Sequence, residues 1–327
     1  QEAYANIQIV LVVIYLVFFM VGAVFGSFAC CQAYRIRYKE EGKRIGGRSE
    51  CLFCHHRLAW YELIPIVSWV LQRGRCWQCG KKIGRIEITS EVAMGLIFCG
   101  ILSLFFKQVN VMGFWQGGDD DSWRNFDIEL LLKIFTNPLV IVRALILIVS
   151  AVLFWILVVY DLKWQRLPSW ILYVLIGLGV GYFVLNELVR LGIISEPRYL
   201  SGSKLLNVQL GTTRQVSEVI KNDLFTLVSS ILVLPGLYFL MYKISKERLV
   251  GGGDYLLALA AVLFLGRFEL SLTLLFVANL LALGFNAKKI MQKKKVRVPF
   301  GPYLIMGFWL VLLFAREILL YLYVVVV

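Results

Sequence analysis

The feature that most constrains this chain is the recurrence of apolar stretches at about 9–28, 92–106, 139–160, 170–188, 224–242, 270–285 and 303–323. Each is near the ~20 residues that cross a bilayer as a helix. An eighth apolar run, Leu256–Gly266, is shorter. Backbone amides inside hydrocarbon must be bonded within their own segment, so such a chain is restricted to helices. The expectation is an all-α polytopic membrane protein with about eight transmembrane helices, and 59% hydrophobic residues among 327 agrees with it.

Charge placement supplies an orientation. With the N-terminus outside, the segments 32–88, 161–169, 243–254 and 286–302 hold 23 of the 34 Lys and Arg residues. The opposite side keeps the acidic run Asp119–Asp121. This is the positive-inside bias, and it requires Leu256–Gly266 to cross. The net charge of +13 is therefore mostly topology, and a nucleic-acid partner is excluded. The first span has no small-residue cleavage site before its basic flank and reads as a retained anchor.

This topology brings two carboxylates to similar depth at the cytosolic side. Asp161 ends the third span in "ILVVYDLKWQRLPSW", and Asp254 begins the sixth after Gly251, Gly252 and Gly253. Singly, Asp254 reads as a helix N-cap and Asp161 as a boundary residue beside Lys163 and Arg166. Together they suit an aspartate dyad, in which a neutral carboxyl polarises a peptide carbonyl while an ionised one activates water. The helix macrodipole favours Asp254 as the base and Asp161 as the initial acid. Gly251, Gly252 and Gly253, lacking Cβ, would let a substrate strand approach the backbone. Glu317 beside Arg316 reads as a pair near the outer interface.

Between the first two spans, Cys51-x2-Cys54 is followed after 21 residues by Cys76-x2-Cys79. Two such hairpins can close a tetrahedral structural Zn2+ site, and a domain this small gains much of its stability from the metal. His55 or His56 could replace one thiolate. The resulting domains are 1–31, the first helix; 32–88, the four-cysteine domain; and 89–327, the membrane catalytic domain. The last carries outward insertions at 107–138 and 189–223.

The combination of "GSFACCQAYR" (Gly26–Arg35), the paired Cys-x2-Cys around "ELIPIVSW", "DLKWQRLP" (Asp161–Pro168), "GGGD" and "PFGPYL" (Pro299–Leu304) resembles the bacterial type IV prepilin peptidases. The resemblance implies an inner-membrane aspartic peptidase. It would cut the basic leader from type IV prepilins and type II secretion pseudopilins after a glycine, with Asp161 and Asp254 in the two catalytic positions. It also implies N-methylation of the new terminus with S-adenosylmethionine, for which the sequence has no glycine-rich nucleotide loop. Cys30, Ser169 and Leu256 stand where the family often has Asn, Asp and Lys. Basic loops would lie on anionic membrane lipid, and Glu40, Glu41, Glu50 or Glu62 would help receive a basic leader. The rival readings are a presenilin-like intramembrane protease, which shares Tyr-Asp and Gly-x-Gly-Asp, an archaeal-type preflagellin peptidase, and a metal-binding scaffold or transporter.

Overall fold

The computed structural model describes residues 2–42, 48–108, 136–191, 193–194, 216–246, 251–291 and 299–326. The two insertions lie largely outside them. Helices α1 (Glu2–Glu40), α2 (Val67–Leu71), α3 (Arg85–Gln108), α4 (Pro138–Trp164), α5 (Ser169–Arg190), α6 (Val216–Ser245), α7 (Asp254–Leu265), α8 (Phe268–Met291), α9 (Gly301–Leu313) and α10 (Ala315–Val326) follow in order. A 3-10 turn spans Trp60–Leu63, and the β-structure among the described residues is limited to isolated bridges. The protein is an all-α polytopic membrane protein. Among the described residues six helices are long and apolar enough to cross a membrane, and the pair α9 and α10 makes a seventh if it counts as one span. The 12-residue α7 rises only about 18 Å, short of the ~30 Å of hydrocarbon.

Helix α1 contains the apolar stretch 9–28 and runs on to Glu40. The last stretch is not one straight helix: α9 and α10 meet at a bend of 71°. There Phe314 leaves helical geometry at φ −105° and ψ 16°, just before the charged Arg316 and Glu317.

The chain divides into two compact units, one of Gln1–Ser103 and Leu147–Tyr160, the other of Leu104–Ile146 and Asp161–Val327. In the first, α1 lies tightly on α3. A Cβ on Gly22 would stand 2.6 Å from the Met94 carbonyl oxygen and 2.8 Å from Phe98 Cβ, and one on Gly26 would overlap the Ser90 carbonyl oxygen. Gly22 and Gly26 are four residues apart on one helix face, the small-xxx-small arrangement that lets backbones approach in lipid. Phe25 and Phe98 stack beside this contact with ring centroids 5.4 Å apart. Tyr15 and Ser103 hydroxyls bond at 3.0 Å. At the end of α1, the Tyr160 hydroxyl donates to Glu40, and Arg37 Nε reaches Glu41 at 2.9 Å.

The cysteine lobe grows between α1 and α3 as two near-identical knuckles. Cys51 N–H donates to the His56 carbonyl at 2.9 Å, and Cys76 N–H donates to the Lys81 carbonyl at 2.9 Å. Each knuckle turns through a left-handed residue four positions on, His55 at φ 56° and Gly80 at φ 68°. The lobe is pinned to α3 by Glu91, whose carboxylate accepts the Ile66 N–H at 2.6 Å.

In the second unit α7 is the hub. Leu257, Ala258, Ala260, Ala261 and Val262 are almost fully buried, with α5 and α6 packed closely against α7 and α9 packed on α8. Gly179 of α5 makes room for Leu263, which a Cβ there would approach to 2.9 Å. Gly266, at φ 65°, ends α7 in the left-handed conformation that a glycine C-cap adopts without strain.

Gly26→Val is expected to destabilise the first unit by about 1–3 kcal/mol, because a branched side chain must displace the α3 backbone. Thermal unfolding in detergent would register this against Gly177→Val, which faces open space; equal melting of the two variants would contradict the α1–α3 contact.

Candidate active site and metal centre

Asp161 lies in the last turn of α4, and Gln165 closes that helix in left-handed geometry with its N–H on the Asp161 carbonyl. Asp254 is the first residue of α7, while its helix cap is Gly253, which makes no side-chain capping bond. The carboxylate instead curls back over the glycine turn: Asp254 Oδ2 accepts the Gly251 N–H at 2.9 Å. Asp161 Oδ2 accepts the Gly301 N–H at 3.1 Å. Both aspartates are buried, at 6% and 8% exposed, so each anion is partly compensated by a backbone donor.

Two sets of contacts draw the carboxylates to one end of this unit. Gly301 lies beside Asp161, and its Cβ position is 3.6 Å from Leu257 Cδ2, one turn along α7 from Asp254. Gly253, next to Asp254, meets Leu167, whose Cβ would be 2.7 Å from an added methyl; Leu167 is six residues beyond Asp161. The segment Pro299–Tyr303 completes the end. Phe300 packs edge-on against Tyr238, at 5.4 Å, and the Tyr238 hydroxyl is within electrostatic reach of Asp254. Tyr303 accepts a 2.9 Å hydrogen bond from Asn286 and stacks on Phe285. Tyr255 is wedged against Phe239 and Tyr242, at 5.3 and 5.8 Å.

The three glycines before Asp254 have distinct surroundings. At Gly253 the space is occupied by Leu167, and at Gly252 by the Tyr242 ring at 3.3 Å, whereas a Cβ on Gly251 would meet Asp254 Oδ2 at 3.4 Å. Internal packing therefore accounts for glycine at 253. Gly301 was not singled out by its sequence, although it stands within "PFGPYL". A Cβ there would lie 2.9 Å from Asp161 Oδ2, so a larger residue must displace this carboxylate. The single available signal was a glycine followed by a proline at a helix start.

The second cluster is the cysteine quartet. The Sγ atoms of Cys51, Cys54, Cys76 and Cys79 lie within 4.8 Å of one another, with Cys51 and Cys79 at 3.9 Å. Tetrahedral thiolate ligation with ~2.3 Å bonds puts sulfurs about 3.8 Å apart, so the four residues can hold a metal ion. The histidines point to other partners: His56 Nε2 is 3.4 Å from Glu62 and His55 Nδ1 is 3.5 Å from Glu50. Glu62 itself, 3% exposed at the side chain, accepts the Ala59 N–H at 2.9 Å. It is thus occupied within the lobe and is a poor receiver for a leader. Glu40 and Glu41 are likewise engaged, by Tyr160 and Arg37.

The thiols differ in acidity. Desolvation at Cys51 is outweighed by N–H groups of Cys54 and Phe53 and by the Cys54 and Cys76 thiols, which bring it down to about 7. At Cys54 the His56 N–H favours the thiolate, but desolvation and the Cys51 and Cys79 sulfurs outweigh it and push the thiol up to about 11.

Comparison with known proteins adds a lineage to this geometry. The family model described as the bacterial peptidase A24 N-terminal domain matches residues 20–105, which contain the cysteine quartet. A protein of Stutzerimonas stutzeri named prepilin leader peptidase/N-methyltransferase is 24% identical over 83% of this chain and 73% of its own length. Over these stretches the chain is similar to proteins named prepilin leader peptidase/N-methyltransferase. Relatives of the same name in Myxococcus xanthus, 38% identical over 27% of this chain, and Bacillus subtilis, 34% identical over 25%, match over a shorter region. That region spans 25% and 32% of their respective lengths. No solved structure matches the chain.

With metal stripped by a chelator, iodoacetamide at about pH 8 is expected to label Cys51 before Cys54, because only the thiolate reacts. The Cys51 rate should level off above about 7, while the rate for the more exposed Cys54 keeps climbing toward about 11. Peptide mapping by mass spectrometry reads the order, and Cys54 reacting first would contradict this assignment.

Proposed function

We propose that this protein is a membrane aspartic endopeptidase that removes the leader of prepilins and secretion pseudopilins after a glycine, and that it N-methylates the new terminus. The observation that carries the reading is the pair of buried carboxylates, Asp161 and Asp254, each held by a glycine N–H and drawn to one end of a unit in a prepilin peptidase relative. In this mechanism Asp254 takes a proton from water while protonated Asp161 hydrogen-bonds the scissile carbonyl. The water oxygen adds to the carbonyl carbon, and the C–N bond then breaks with the amine leaving as it gains a proton. Gly251 is the glycine whose open side suits a closely approaching substrate strand.

The orientation follows the charge bias, with the aspartates at the cytosolic face of the bacterial inner membrane. Zinc is the metal that four thiolates at these separations favour, and it would act by holding the two knuckles together. S-adenosylmethionine would supply an electrophilic methyl group. The exposed Trp60, Tyr61 and Trp77, with Lys81 and Lys82 close in sequence, suit the interface of an anionic lipid surface.

Mass spectrometry of a purified prepilin's N-terminus after incubation with the protein tests the reading. Asp161→Asn and Asp254→Asn should each lower cleavage by at least ~100-fold, and an added methyl should require S-adenosylmethionine. Cleavage inside the substrate's apolar helix would instead support the presenilin-like reading, and several intact prepilins would support a scaffold. Gly301→Ala should lower kcat by about a hundredfold with a smaller change in KM, since it displaces Asp161 without removing it. Unchanged kcat in that variant would detach Gly301 from the site.

A further inference from the structure

Helix α6 carries, at the end of the unit that holds the aspartates, a tyrosine whose hydroxyl has no task in the fold. Tyr242 of that helix fills the space beside Gly252, where a Cβ would meet its ring at 3.3 Å. Phe239 and Tyr242 both pack on Tyr255, the residue after Asp254. Helix α6 therefore abuts the glycine turn. Tyr238, one turn before Tyr242, lies on the same helix face and sets its ring edge-on to Phe300 at 5.4 Å. Phe300 precedes Gly301, whose N–H holds Asp161. The ring is thus anchored beside the donor to one aspartate, while the hydroxyl is within electrostatic reach of the other, Asp254. Tyr238 is 3% exposed, and its hydroxyl is buried with no hydrogen-bond partner among the described residues. Asn279 approaches it, but the Asn279 amide donates to the Leu275 carbonyl at 2.7 Å. A buried donor left unpaired costs free energy, and phenylalanine would fill the same space without that cost. What tyrosine adds is one O–H held ready beside the carboxylates.

We propose that Tyr238 is a further catalytic residue, whose O–H donates to the scissile carbonyl oxygen as negative charge develops there, an inference that rests on the peptidase reading above. As the water oxygen adds to the carbonyl carbon, Asp254 takes the water's proton and the carbonyl π pair moves onto oxygen. Protonated Asp161 hydrogen-bonds that oxygen from one side and Tyr238 from another. When the intermediate collapses, the pair returns to form the C=O bond, the C–N bond breaks and the amine leaves as it gains a proton. Tyr238 keeps its own proton throughout. A donor whose partner forms only in the transition state lowers the barrier without tightening the ground state, and this accounts for a hydroxyl left unpaired in the free protein.

Leader cleavage by the full chain in detergent is followed at varied prepilin concentration, with Asp254→Asn as the inactive reference. Tyr238→Phe is expected to lower kcat by about a hundredfold with little change in KM, while its melting temperature equals or exceeds that of the wild type. Loss of packing alone would lower the melting temperature as well. Tyr321→Phe, which removes a hydroxyl from a 70% exposed site, should leave both constants unchanged. Unchanged kcat in Tyr238→Phe, or a raised KM alone, overturns the proposal and leaves the peptidase reading standing. Wild type that leaves prepilins intact removes both. If Tyr238→Phe melts below the wild type, a second measurement decides. A fluorotyrosine in place of Tyr238 keeps the hydroxyl, and its fluorine NMR resonance should move further on binding a prepilin peptide with hydroxyethylene at the scissile bond than on binding the same peptide with plain ethylene. Equal shifts for the two peptides overturn the assignment.

Discussion

Two buried carboxylates, each held by a backbone N–H from a glycine, set the terms for the second unit. An aspartate 6% or 8% exposed inside an apolar bundle must be compensated, and here a backbone N–H supplies part of that compensation at each. At 301 that choice favours glycine, since a Cβ there would stand 2.9 Å from Asp161 Oδ2, whereas one on Gly251 would meet Asp254 Oδ2 at an ordinary 3.4 Å. It also dictates the short α7, which starts at one carboxylate and fills the middle of the unit with small and branched apolar residues. The surrounding helices then pack on α7, down to Gly179 clearing space for Leu263.

The first unit solves a different problem. A lobe with little apolar core is organised by two knuckles, each closed within a few residues, and by one carboxylate, Glu91, that takes an N–H from the lobe. Its membrane half depends on the approach of α1 to α3 at Gly22 and Gly26. Burying a methyl-free face in lipid gains packing and weak backbone contacts where the hydrophobic effect offers nothing.

Features set by local spacing were legible in the sequence. The span pattern, the two Cys-x2-Cys hairpins and the turn before Asp254 each depend on residues within a few positions of one another, and their spacings survive in one dimension. The role of Gly301 was hidden because its partner is 140 residues away. The bend at Phe314 was hidden because the apolar run continues through it, and composition cannot distinguish one straight helix from two at 71°. The engagement of Glu62 within the lobe was unreadable for the same reason: an acid in a loop looks available until its neighbours are placed.

One consequence concerns the order in which the chain is made. The first unit is not contiguous: it takes Gln1–Ser103 and then waits for Leu147–Tyr160, the middle of α4. Synthesis therefore cannot complete it until the helix bearing Asp161 has emerged, and a fragment ending after α3 lacks the stretch that contributes Phe154 and Tyr160 to its interior. The residue after that stretch is Asp161 itself. Maturation of the lobe-bearing unit is thereby scheduled ahead of the glycine turn that delivers Asp254, so a nascent chain holds one carboxylate long before it can assemble a pair.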